Sequence, residues 1–171
     1  HRYLSWYATM VERADRYLGH LLTALDNRPD LCRNTIVIFA SDHGDLAFAH
    51  GLPFKGPCMY EELIKVPLLV RGPGVVQGIV REELVSLHDL LPTILQWANI
   101  DVPTGIDGVS LLDLLTTRKS VRWRDAVIGQ YHGKQRWAIP IRMIRTERYK
   151  FNLYAGGDSE LYDLSNDRDE L

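Results

Sequence analysis

Thr35-Ile36-Val37-Ile38-Phe39-Ala40-Ser41-Asp42-His43-Gly44-Asp45 is the stretch that decides the fold. Its first six residues are an unbroken, largely β-branched run. A strand with apolar residues at every position expects burial on both faces, as in the central parallel sheet of an α/β fold. The run stops at polar residues around one glycine, and in such folds ligands bind beyond the carboxyl ends of strands. Residues 41–45 are therefore the place to expect chemistry.

Working outward, residues 1–26 space their apolar side chains by threes and fours, from Tyr3, Leu4 and Tyr7 to Leu21, Leu22 and Leu25. This is the pattern of an amphipathic helix that buries one stripe, and the chain opens on His1 with that helix already in progress. Residues 27–34, with Pro29 inside, read as a polar loop. Downstream of a Gly/Pro-rich loop, residues 60–64 read as a short helix and 65–70 as a second buried strand stopped by Gly72-Pro73-Gly74. Residues 83–98 are expected to be helical in their second half, with His88 or Asp89 near the start and Pro92 in the first turn. Residues 111–115 add a turn or two of helix. From about residue 120 the texture changes to short strands at 126–131, 137–146 and 149–154, joined by tight turns in an antiparallel hairpin pattern. Residues 160–171 are polar and acidic. A boundary near 116–122 divides residues 1–118, the α/β portion, from 119–171, a small antiparallel β subdomain with an acidic tail.

The 171 residues are 46% hydrophobic and 25% charged, values that suit a soluble globular protein. A net charge of −2 gives no bulk attraction for nucleic acid or an anionic membrane. No apolar run approaches the ~20 residues needed to span a bilayer. Two cysteines rule out a disulfide framework, so Cys32 and Cys58 are read as reduced thiols and the compartment stays open.

Asp42 and His43, at the polar mouth of a strand, supply a carboxylate and an imidazole, two potential ligands for a divalent metal. The same residues also fit a plain turn, with Asp42 capping a helix and His43 exposed. Lys55, in a Gly/Pro loop, is either a compact positive charge for an anionic group or a solvated lysine. His50 is a candidate proton donor or a loop histidine bonded to backbone. Asp45 is a candidate acceptor for an imidazole or a turn residue, and Asp89 is a candidate helix cap. Lys134, Arg136, Arg142, Arg145, Arg148 and Lys150 alternate with apolar residues opposite Asp158, Glu160, Asp163, Asp167, Asp169 and Glu170. They read as solvated faces paired across strands, with a basic rim for an anionic substrate as the other reading.

The ordered series of residues 41–45, His50-Gly51, Lys55-Gly56, Lys65-Val66-Pro67 and Gly72-Pro73-Gly74 resembles the sulfatase family of the alkaline phosphatase superfamily. The helix at 7–25 with Asp15 and Gly19, Leu87-His88-Asp89-Leu90-Leu91-Pro92-Thr93, Asp107-Gly108-Val109-Ser110-Leu111 and Glu160-Leu161-Tyr162-Asp163-Leu164 fall in the same order. Arg145-Thr146 and Tyr149-Lys150 resemble the family's late hairpin. The thirteen-residue step from Asp42 to Lys55 makes the series specific.

The resemblance implies part of an alkaline-phosphatase-like α/β sandwich with a mostly parallel central sheet, plus a small antiparallel β subdomain. It implies that Asp42 and His43 are metal ligands, that Lys55 binds the sulfate oxygens, and that His50 is a further catalytic candidate. The implied reaction is hydrolysis of a small-molecule or glycan sulfate ester with one divalent metal and a formylglycine nucleophile. His43 stands where many sulfatases have Asn. Calcium is the expected ion, while the imidazole also admits Mn²⁺ or another transition metal. The Asp-His pair is shared with choline-sulfatase-like enzymes and phosphonate monoester hydrolases. Residues 46–50 also lack the glycine and acidic residue that similar members place before the His-Gly.

The family's nucleophile lies in a Cys/Ser-x-Pro-x-Arg motif. Cys32 is followed by Arg33-Asn34-Thr35 and Cys58 by Met59-Tyr60-Glu61, so neither fits. The early metal aspartates and the upstream active-site histidine are absent too. The chain is thus expected to be the C-terminal part of a sulfatase, needing the N-terminal portion of the same protein and inactive alone. The alternatives are a phosphodiester or phosphonate monoester hydrolase of the same superfamily, and a non-catalytic domain that keeps the fold.

Overall fold

In the computed structural model, residues 2–133 and 139–171 are described. The helix-opening His1, the basic positions Lys134 and Arg136, and the expected strand start at Trp137 lie outside the described residues. Helix α1 spans Arg2–Asp26, as its three-and-four spacing demands, yet none of its residues is buried. Trp6, Val11, Tyr17 and Leu21 are exposed along its length. The stripe expected to be buried is only half-covered, at Tyr3, Tyr7, Leu18, Leu22 and Leu25, and in the first turn Tyr3 meets Phe48 and Phe54 edge-on with ring centroids 5.2 and 5.3 Å apart. At the other end Asp26 pairs with Arg71.

The segment read as a polar loop contains a short helix, α2, Pro29–Cys32. Proline at its first turn costs nothing, because that turn's N–H has no helical partner. Strand β1, Val37–Ala40, pairs with β2, Leu68–Arg71, in register from Val37 opposite Arg71 to Ala40 opposite Leu68. Between them lies helix α3, Glu61–Ile64. The β1–β2 pair runs antiparallel, not parallel, and its residues are not buried on both faces. β1 is half-buried throughout and Leu69 on β2 is exposed. The reason is coverage: β2 is the single strand paired with β1 among the described residues.

A 3-10 turn, Leu87–Asp89, leads into helix α4, Leu90–Trp97. Asp89, read as a cap for α4, makes no side-chain cap bond to it; it closes the capping box of Ser86 on the 3-10 turn instead. Its fully buried carboxylate accepts from the backbone N–H of Ser86 at 2.7 Å and of Val109 at 2.8 Å, and pairs with Arg124 at 2.7 Å. Gly108 makes that junction possible, since a Cβ there would lie 2.1 Å from the carbonyl oxygen of His88. Helix α5 covers Leu112–Thr116.

Strands β3, Ala126–Tyr131, β4, Ile141–Thr146, and β5, Tyr149–Tyr154, form the expected antiparallel meander. A fourth strand, β6, Ser159–Asp163, extends it inside the segment read as an acidic tail. Composition hid it because Glu160 faces inward. There it accepts from the Asn152 amide at 3.0 Å and the Tyr154 hydroxyl at 2.9 Å. The core joins Met59, Ile141 and Met143, with Ile64, Tyr131 and Tyr154 packed on it. It seats α3 and the chain leading into it against the meander.

Candidate functional site

Residues 41–45 follow β1 directly and are held by local bonds. The Ser41 hydroxyl donates to the His43 carbonyl at 2.7 Å, and the His43 amide donates to the Asp42 carboxylate at 3.0 Å. That amide bond holds the Asp42 carboxyl below the usual carboxylate range, assisted by the charges of His43 and Lys55. Gly44 donates to the Leu63 carbonyl at 2.8 Å, which brings the turn onto α3. A Cβ at this position would stand 1.8 Å from the carbonyl oxygen of Glu62, so only glycine fits.

His43 places Nδ1 2.8 Å from the Gly44 carbonyl, so Nδ1 carries the hydrogen and Nε2 presents its lone pair. Nε2 lies 3.5 Å from Asp42 Oδ2 and accepts from the Lys55 ammonium at 2.7 Å. Asp42 is open to solvent, its side chain 84% exposed. Three predicted site residues thus converge on one point although Lys55 is twelve positions from His43.

His50 is turned elsewhere. Its ring lies flat on Tyr60, 3.6 Å between centroids and 8° between planes, with Nε2 3.6 Å from Glu62 Oε2. Asp45 is not an imidazole partner. Its two carboxylate oxygens share the single hydrogen of the Tyr3 hydroxyl, each 2.8 Å away, and Oδ1 also accepts from the Ala47 amide. Burial and then the Asp45 carboxylate push the Tyr3 hydroxyl up to about 12.

The largest feature missed by sequence reasoning stands behind α3. Lys150, expected on a solvated face, is fully buried and pairs with the buried Glu170 and, at 3.4 Å, with Glu61. Arg145 holds Glu61 with two contacts of 3.3 Å, and the Glu61 amide donates to Glu170 at 2.7 Å. Burial alone would raise the Glu61 carboxyl, but Arg145 and Lys150 hold it below its ordinary value. The signal was present: Lys150 shares the inward face of β5 with Asn152, and a charge on that face needs a buried partner. Arg148 and Asp163 do pair on an exposed face as expected, at 2.7 and 2.9 Å.

Asp42 and His43 could hold a cation between one carboxylate and one imidazole lone pair, a mixed donor set. Among the described residues no group of three or more His, Cys, Asp or Glu is placed to do so alone.

Residues 49–171 match the family model described as N-sulphoglucosamine sulphohydrolase, C-terminal. The chain belongs to the sulfatase family. It is 38% identical to arylsulfatase K of Homo sapiens over 176 residues, covering 98% of this chain and 32% of that relative. The chain therefore spans about a third of the length of the curated relatives it matches, and corresponds to the C-terminal part of a sulfatase.

Among solved structures, a 2-O GAG sulfatase superposes with a TM-score of 0.83 at 34% identity, covering 92% of this chain and 35% of that one. The phosphonate monoester hydrolase of Agrobacterium radiobacter gives 0.82 at 27% identity, covering 94% and 34%. These likenesses place the sulfatase chain in an alkaline-phosphatase-like α/β architecture. Among its described residues no helix is long and apolar enough to cross a membrane.

Proposed function

We propose that the protein to which this chain belongs hydrolyses a sulfate ester, a glycan ester being the class favoured by the likeness to a GAG sulfatase. The observation that carries the reading is the convergence of Asp42, His43 and Lys55 at the end of β1. Asp42 and His43 would hold one divalent cation, calcium through the carboxylate or Mn²⁺ or another transition metal through the imidazole. Such an ion, when bound, polarises the sulfuryl oxygens as a Lewis acid.

Lys55 presents its ammonium beside that pair, where it offsets the negative charge that grows on those oxygens. The nucleophile, a formylglycine formed from a Cys/Ser-x-Pro-x-Arg motif, would come from the portion of the protein outside this chain. On that reading the 171 residues alone do not turn over. A second reading, phosphonate monoester hydrolysis, is favoured by the superposition on the Agrobacterium enzyme.

The test is Lys55→Ala in the whole protein. Loss of about 10²–10³ in kcat/KM for a sulfate ester is expected. Near-unchanged turnover would remove Lys55 from the site. Parallel assays on sulfate and phosphonate esters separate the two readings, and a sulfatase rate from the purified chain alone would overturn the expectation of inactivity.

A further inference from the structure

We infer that Glu62 and His50 form a positioning pair that sets where Lys55 stands relative to Asp42 and His43, an inference resting on the reading of Lys55 as the sulfate-binding lysine. The loop that ends in Lys55 carries backbone hydrogen bonds of its own. Its base is closed by the Leu46 amide donating to Phe54 at 2.7 Å, and within it the Phe48 amide donates to Leu52 at 3.1 Å. Four residues other than glycine take positive φ: Ala47 at 49°, Phe48 at 72°, His50 at 54° and Phe54 at 61°. Such backbone persists only where surrounding contacts over-determine it.

Two anchors supply those contacts. Phe48 and Phe54 pack edge-on against Tyr3. His50, its side chain 10% exposed, stacks on Tyr60 and aims Nε2 at Glu62 Oε2 from 3.6 Å. Both atoms are shut off from solvent and neither has a hydrogen-bond partner among the described residues, the 3.6 Å between them lying just beyond hydrogen-bond distance. A buried carboxylate oxygen without a donor is costly, and the Nε2–H of His50 is the donor at hand.

Glu62 also reaches the metal turn. Its carbonyl oxygen is the atom that excludes any side chain at position 44, and the next carbonyl, of Leu63, binds the Gly44 amide. One residue therefore touches the Asp42–His43 turn through its backbone and the Lys55 loop through its side chain. This accounts for a histidine turned away from His43 and Lys55 and still packed tightly. It acts on the anion through Lys55.

The experiment measures binding of inorganic sulfate by calorimetry, and KM and kcat for a sulfate ester, in the whole protein. Glu62→Gln is expected to weaken sulfate binding about tenfold, the scale of one charge-assisted hydrogen bond. In a Lys55→Ala background the same change is expected to alter sulfate binding less than about twofold, because the group it positions is gone. His50→Gln should match Glu62→Gln, and the double variant should be no worse than either. Where Glu62→Gln does not fold, His50→Gln is read in its place.

Unchanged sulfate binding in Glu62→Gln, or an equal loss with and without Lys55, would overturn the inference, since a merely structural role gives the latter. If Lys55→Ala itself leaves sulfate binding untouched, the reading of the site fails first and takes this inference with it. If Lys55→Ala is impaired and Glu62→Gln is normal, the positioning pair alone is wrong.

Discussion

Glu170→Ala should loosen the C-terminal meander far more than the loss of one acidic side chain from a polar segment suggests. In the folded protein the Glu170 carboxylate contacts the fully buried Lys150 and accepts from the Glu61 amide at 2.7 Å. Removing it leaves the Lys150 ammonium buried with Glu61 at 3.4 Å, a carboxylate already shared with Arg145. It also strips the Glu61 amide of its acceptor. Breaking a buried pair from one side costs about 3–5 kcal/mol, because the remaining charge cannot recover its hydration.

Hydrogen exchange reads this locally. At tenfold per 1.4 kcal/mol, amides of β5 and β6 should exchange about 10²–10⁴ times faster in Glu170→Ala. Glu170→Gln keeps an acceptor for the Glu61 amide and should fall between the variant and the parent. The exposed neighbour provides the control, with Asp169→Ala expected to change stability by less than about 0.5 kcal/mol. Exchange within about threefold of the parent in Glu170→Ala would refute the reasoning, because a buried lysine left to share Glu61 with Arg145 cannot be that cheap.

Two more outcomes follow from the same geometry. Gly44→Ala places a methyl 1.8 Å from the Glu62 carbonyl oxygen, so either the Asp42–His43 turn or α3 must shift. Loss of sulfate binding by calorimetry is expected together with a lowered thermal midpoint, and normal values for both would show that the turn is free to move. Glu61 titrates below its ordinary value of 4.5 in the folded chain, held there by Arg145 and Lys150 against burial. A depressed carboxyl contributes stability above its unfolded value that is lost as pH falls through the folded one. Denaturation followed from about pH 6 to pH 3 should therefore show an acid loss that Arg145→Met makes shallower, and equal slopes would sink that assignment.

Much of the candidate site's layout was legible because its signals are local. A β-branched run ending in Asp42-His43-Gly44 marks a strand mouth whatever surrounds it, and Lys55 at a fixed step gave the family resemblance. The strands at 126–131 and 149–154 came from alternation and turn residues, which are likewise short-range. Strand β6 was not legible, because an inward Glu160 breaks the alternation and its partners Asn152 and Tyr154 lie on another strand. The same limit applies to His50. Its sequence neighbours suggest a proton donor, whereas its orientation depends on Tyr60 and Glu62, which no spacing rule connects to it.

The sequence by itself determined where the polar turn, the lysine loop and the C-terminal hairpins lie, and that no bulk charge attracts nucleic acid. Periodicity, glycine placement and composition act over a few residues and need no knowledge of what packs on what. Only the tertiary structure decided that Lys55 meets His43, that β1 and β2 run antiparallel, and that α3 braces both arms of the site. It also decided that Lys150 and Glu170 are buried partners. The physical reason is that each of these is a pairing between distant residues, whose free energy depends on the burial and hydrogen bonding both partners acquire when the chain closes around them.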